Sequence, residues 1–202
     1  MNWKEEILQH ERHTNPKKGW KRAIELLQHV IEEQPDDRDA YLRILYWLQR
    51  YIAEIAEQTP AGKSSYSAKL VRYFEAAYPR FSEDEDYLYF MGMIYYFQAR
   101  YLKSEPVEAK NWLIRSMKDT PHYLFQLSLV YVLNTDPLHS YKDRQGLCVE
   151  VFELNRGYLD ELAPEIHGQL GQDIREMLEG HYEEVRKLEG WRQKLKRRLR
   201  RK

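Results

Sequence analysis

Four places in the chain hold residue types that could do chemistry. Gly62-Lys63-Ser64 has the ending of a phosphate-binding loop. That loop needs a glycine five positions before Gly62, so that its backbone N–H groups can close around phosphate oxygens, and Glu57 stands there. His10-Glu11-Arg12-His13 suggests a zinc-hydrolase helix. The zinc chemistry takes two histidines at i, i+4 with a glutamate beside the first, whereas His10 and His13 are i, i+3, which leaves a solvated N-terminal turn. Cys148 lies between Leu147 and Val149 and reads as a small buried hydrophobe rather than a nucleophile. The acidic groups Glu83-Asp84-Glu85-Asp86, Glu32-Glu33 and Asp36-Asp37 fall at helix starts and ends, where the helix dipole and solvent account for them. There is no Gly-x-Ser-x-Gly elbow. The expectation is therefore a protein with no catalytic residues, no metal and no cofactor.

A different chemistry is written at the end of the chain. From Trp191 to Lys202 there are eight basic residues (Arg192, Lys194, Lys196, Arg197, Arg198, Arg200, Arg201 and Lys202) and no acidic one. The total charge is zero, so the first 190 residues carry 24 basic against 32 acidic side chains, a net of −8. Trp191, Leu195 and Leu199 share one helical face, which makes the tail a basic amphipathic helix. Four readings stand for it: folding back on the acidic body, binding nucleic-acid phosphates, lying on an anionic membrane, or docking a partner. Lys17-Lys18 and Lys21-Arg22 around Trp20 form a second basic cluster, while the acidic body opposes a phosphate backbone.

The elements that must carry these residues read as helices throughout. The chain is 202 residues long and 43% hydrophobic, enough for one substantial core and not a disordered composition. No alternating strand pattern or hairpin dipeptide occurs. Helices are expected to about His13, from Pro16 to Pro35, over 38–58, 65–78, 83–103, 106–118 and 120–134, and over 142–154. The stretch 59–64 reads as a loop, and Ser82 with Glu85 as a capping box. Pro164 opens a last, long helix. Its stripe from Ile166 to Leu199 runs through Leu170, Ile174, Met177, His181 and Val185 at about 3.67 residues per step, the period of a straight helix packed on neighbours. Gly168, Gly171 and Gly180 weaken that helix, and His181 reads as a core or boundary histidine. Sixteen tyrosines and five tryptophans suit inter-helix seams and interfaces alike.

A spacing recurs. Ala23, Leu27, Val30 and Pro35 stand at steps of four, three and five, and Ser67, Val71, Phe74 and Pro79 repeat them, as do Ala109, Leu113, Ser116 and Pro121. Such self-similarity marks a helical repeat array. The pattern resembles the second helix of the tetratricopeptide repeat. Leu88, Met91-Gly92 and Tyr95 resemble its first helix, and Leu124, Leu127-Ser128 and Tyr131 do so with serine for glycine. The resemblance covers about Trp20 to Tyr131. The prolines lie 44 and 42 residues apart where the family has about 34, so the repeats are divergent and lengthened.

The resemblance implies an all-α, antiparallel helix-hairpin array, a tetratricopeptide-like α-solenoid. Residues 1–160 would form the repeat domain, and 161–202 a long C-terminal helix with a basic tail packed on it. It also implies a non-enzymatic scaffold that binds one protein on a concave face lined by the first helices. In this chain those helices carry Arg38, Gln49 and Gln98, and above all Arg43, Tyr46, Arg50, Tyr89, Tyr96 and Arg100. The family's carboxylate-clamp residues have no clear match here. Bacterial arrays of this kind serve as adaptors, secretion chaperones or immunity and antitoxin proteins, and an acidic body suits a basic toxin or a secreted effector. Nucleic acid bound by the tail is the alternative partner. The single cysteine, the absence of a signal-peptide core at Met1–Glu6 and the lack of a span-length apolar run lead to the expectation of a cytoplasmic protein.

Overall fold

A computed structural model describes residues 2–12, 16–54, 60–98, 106–116, 152–154, 156–162 and 164–199. The described residues are all-α and contain no strand. The helices are α1 (Trp3–Glu11), α2 (Pro16–Glu33), α3 (Arg38–Glu54), α4 (Pro60–Phe81), α5 (Glu85–Gln98), α6 (Pro106–Arg115) and α7 (Pro164–Leu199), with a 3-10 helix, Arg156–Leu162, before α7. Among the described residues no helix is long and apolar enough to cross a membrane.

Local chemistry sets most helix starts. The Asn2 side chain accepts from the Lys4 N–H and opens α1. Asp37 accepts from the Ala40 N–H at 3.0 Å and opens α3. Asp84, not Ser82, opens α5: its carboxylate accepts from the Tyr87 N–H at 2.7 Å, which moves the cap two residues beyond the expected box. Pro16, Pro60, Pro106 and Pro164 are the first residues of their helices, where a missing N–H costs nothing. The expected loop at 59–64 is corrected accordingly. Residues 60–64 form the first turns of α4, so Gly62-Lys63-Ser64 belongs to a helix. Helix α4 also continues through Pro79 to Phe81 rather than stopping before it.

Consecutive helices pack on one another from α1 to α4, and again from α5 to α6, while α3 also packs on α5. This is packing consistent with a helical repeat. Aromatic side chains run through the seams. Trp20 meets Trp47 at 5.2 Å between ring centroids, Tyr41 meets Phe81 at 5.8 Å, Phe81 meets Tyr87 at 5.5 Å, and Tyr95 meets Trp112 at 5.3 Å. These tyrosines and tryptophans are inter-helix core.

The recurring spacing does not occupy one environment. Ala23, Leu27 and Val30 are buried, as are Leu113 and Ser116, but Val71 is exposed and Phe74 only half-buried. In α4 the buried row is Leu70, Tyr73 and Ala77. Tyr66 stacking on Tyr51 (4.4 Å) and Tyr73 meeting Tyr41 (6.4 Å) turn that neighbouring row toward α3. The positions of the helices expected at 120–134 and 142–154 fall outside the described residues, apart from 152–154.

Helix α7 closes the structure by packing on α1, α3 and the 3-10 helix. Leu170, Ile174, Leu178 and Val185 are its buried stripe, joined by half-buried Met177. The helix is interrupted at Gly168, whose φ of 60° and ψ of −149° are not helical.

Candidate functional site

The face of α3 expected to be open is instead covered by α1 and by the start of α7, which also touches α5 where His167 packs on Phe90. This corrects the placement of several residues expected on a concave surface. Arg43, Tyr46 and Tyr89 are buried, and Arg50 is half-buried. Gln49 is buried as well. The Tyr96 side chain and the whole of Arg100 lie outside the described residues. Arg192, Lys194, Lys196, Arg197 and Arg198 belong to the backbone of α7, with side chains outside the description; Arg200, Arg201 and Lys202 lie beyond it altogether. Cys148 and the His181 side chain also fall outside it.

The covered face holds a polar cluster centred on Glu11. Its carboxylate is not in a solvated turn, as its motif suggested, but sealed between three helices. One oxygen, Oε1, accepts from the Trp47 indole N–H on α3 at 2.8 Å. The other, Oε2, accepts from the Gln169 N–H on α7 at 3.2 Å. The Arg43 guanidinium of α3 lies 4.0 Å from Oε1 and stacks over the Trp3 ring of α1. Burial pushes the Glu11 carboxyl up, against the pull of Arg43, Trp47 and Gln169. Burial also pushes Arg43 down, against the attraction of Glu11, Asp39 and Asp37. Sequence contained one signal for this placement: Trp3, Ile7 and Glu11 stand at steps of four, which puts Glu11 on the apolar face of α1.

Gly168 explains how α7 comes so close. A Cβ on it would lie 2.9 Å from both Glu11 oxygens and 3.0 Å from Arg43 Cζ. One turn on, a Cβ at Gly171 would lie 2.5 Å from the Leu162 carbonyl oxygen. These two glycines are close-approach points for α1, α3 and the 3-10 helix, a role beyond the helix weakening expected of them.

Two further networks tie the face together. Arg50 donates to Asp173 of α7 at 2.8 Å and to the Tyr46 hydroxyl at 2.6 Å, and Tyr46 donates to Asp173 at 2.5 Å. Arg50 also stacks over Trp20. Burial works against the Arg50 charge, but Tyr46 and Asp173 outweigh it and hold the guanidinium protonated. At the other end of α3, Arg38 bridges Asp84 and Asp86, each at 3.0 Å, and Lys4 bonds Asp39. Between these networks α3, α5 and α7 enclose a cavity of about 10 Å³ lined by Asp39, Leu42, Arg43, Phe90, His167 and Leu170. That is room for about one water. Burial takes the His167 imidazole down to about 4, so it is neutral at pH 7. The cluster ties α1, α3 and α7 together through these contacts.

Comparison of the chain with protein-family models, with curated proteins and with solved structures finds no match in any of the three, so the functional reading rests on the geometry above.

Proposed function

We propose that this chain is a non-enzymatic protein-binding scaffold of tetratricopeptide-like type, with one protein as its partner. The observation that carries the reading is how α7 is received. Pairs of packed helices accept another helix through an apolar stripe, Leu170, Ile174 and Leu178, pinned by polar anchors at Asp173 and Gln169. Recognition of an amphipathic helix uses the same pattern. The acidic body, net −8 over the first 190 residues, favours a basic partner such as a toxin or a secreted effector, which supports a role as an immunity, antitoxin, adaptor or chaperone protein.

The test is affinity capture with full-length protein and with a version ending at Gly190, each with and without nuclease. The reading expects a stoichiometric protein that survives nuclease, binds both versions and associates more slowly as salt rises. Weak association that is indifferent to salt would overturn it.

A second reading is nucleic-acid binding through the C-terminal basic residues. It is favoured by the eight basic residues after Gly190, unbroken by an acid, on a helix that runs to Leu199. Binding would then vanish in the version ending at Gly190 and fall steeply with salt.

A further inference from the structure

We propose that His167 is an acid-release trigger: protonation of its ring, in the cavity between α3, α5 and α7, undocks the first turns of α7 from α3 and α5, with Gly168 as the hinge. The inference does not depend on which partner the scaffold binds. It concerns how the covered face is opened.

The ring is placed where a proton is poorly received. It packs on Phe90 of α5 at 4.3 Å between centroids and forms a wall of the 10 Å³ cavity. From α3 it faces Asp39, Arg43 and Arg38, and from α5 Asp86. Both carboxylates are already engaged: Asp39 by Lys4 of α1 and by Arg38, and Asp86 by Arg38 at 3.0 Å. Glu11 of α1 is turned to Arg43 and Trp47. The 3-10 helix contributes Asp160, which pairs with Arg175 at 3.5 Å. An imidazolium would therefore lie buried against Phe90 and beside the Arg43 charge, and burial outweighs the pull of Asp39 and Asp86, whose carboxylates already hold other cations.

The backbone is arranged for a local response. His167 is joined to Gln169 across the non-helical Gly168, and the Gln169 N–H donates to Glu11 of α1, so displacement of the ring pulls on the contact that seats the turns after Gly168. The ring is the last side chain before the hinge, and Leu170 shares its cavity on the other side.

The sign follows from the depressed protonation of the ring. An unfolded or undocked His167 takes up its proton near 6.5, while the docked one resists to about 4. Stability from the neutral ring is therefore full above about 6.5 and is lost as pH falls toward 4. Glu11 runs the other way, because its raised carboxyl takes up a proton more readily when docked. A protonated Glu11 no longer balances Arg43, which makes the neighbourhood still harsher for an imidazolium.

The experiment uses the full chain labelled at the histidine ring nitrogens. Long-range proton–nitrogen NMR follows His167, assigned by comparison with His167→Gln. Amide exchange, corrected for its intrinsic pH dependence, is read in parallel over Gln169–Leu178 and over α2. The expected result is a neutral ring that begins to protonate only below about pH 5. Opening over Gln169–Leu178 should rise by up to roughly tenfold per pH unit as pH falls from about 6.5 to about 4, while α2 stays protected. In His167→Gln, with folding checked by circular dichroism, the acid-linked rise should be lost. A ring that titrates near 6.5 without change in α7, equal opening in His167→Gln, or loss of α2 protection at the same pH would each overturn the proposal. Should His167→Gln fail to fold, the ring titration and exchange of the unaltered protein decide by themselves.

Discussion

The Glu11 carboxylate stands 4.0 Å from the Arg43 guanidinium, and the two side chains are only 2% and 3% exposed. Burial shifts both toward their neutral forms, Glu11 upward and Arg43 downward, so desolvation outweighs attraction at each. Removing one partner leaves the other charge buried without its nearest opposite charge. Glu11→Met or Arg43→Met is expected to cost about 3–5 kcal/mol in urea unfolding. The double variant should cost clearly less than the two added together. Simple additivity would show that the residues do not act as a pair. Full recovery is not expected, because Glu11 also receives the Trp47 and Gln169 N–H groups.

Gly168 and Gly180 belong to one helix and should respond in opposite directions to alanine. At Gly168 the left-handed φ and the approach to Glu11 and Arg43 act together, so Gly168→Ala should destabilise by about 2 kcal/mol or more. At Gly180 a Cβ meets nothing within 4 Å, so Gly180→Ala should stabilise by about 0.5–1 kcal/mol. Thermal unfolding of the two variants checks the pair. Equal effects would mean that Gly168 is not a contact point.

Much of the fold was legible because proline, aspartate and helical periodicity act locally. Pro16, Pro106 and Pro164 open helices where first-turn prolines are expected, and the stripe through Leu170, Ile174 and Val185 is buried. The errors have long-range causes. Ser82 lost the cap to Asp84, which also binds Arg38 from 46 residues away. Val71 kept the repeat spacing but not its burial, because Tyr66 and Tyr73 found ring partners on α3. Arg43 and Tyr46 lie on α3 as the periodicity predicts, but buried rather than on an open concave face. What the sequence did not reveal is that α7 covers that face, since no local pattern states where a helix more than a hundred residues away will dock. Glu11 was hidden by its neighbours: two histidines and an arginine suggested a solvated turn, while its four-residue spacing from Ile7 pointed inward.

Asp39 governs the acid side of stability at the other end of α3. Burial raises its carboxyl, but the bond from Lys4 and the Arg38 charge outweigh that and hold it below the usual range. A depressed carboxyl contributes stability above its ordinary value of about 3.9 and loses it as pH falls further. Lys4→Met removes the bond and should make the acid limb of the stability curve shallower, with a loss against the unaltered protein that is largest above pH 4 and shrinks toward pH 3. The change at neutral pH should stay near 1 kcal/mol or below, since Lys4 is 31% exposed. Denaturation midpoints between pH 5 and pH 3 provide the measurement, and an acid limb of unchanged slope would assign the depression to Arg38 alone.

The Asp173 carboxylate is the polar anchor of α7 on α3, and its three donors differ in what they lose without it. Tyr46 and Arg50 share Oδ2, at 2.5 and 2.8 Å, while Gln169 reaches Oδ1 at 2.7 Å from the preceding turn of α7 itself. Arg50 keeps a second carboxylate, Glu54 at 2.9 Å, so its charge remains compensated when Asp173 is changed. Tyr46 is more deeply buried and keeps only its bond from Arg50. Asp173→Asn should therefore weaken the seat of α7 by about 1–1.5 kcal/mol, mostly through Tyr46. Tyr46→Phe should cost about 1 kcal/mol in the unaltered protein and little in the Asp173→Asn background. Arg50→Met should cost less in either background, and its effect should shrink in 1 M salt, where surface charges are screened over about 3 Å. Amide exchange along Gln169–Leu178 reads this seat directly. If Arg50→Met opens it more than Tyr46→Phe does, the charge rather than the buried hydroxyl bond is what holds α7 down.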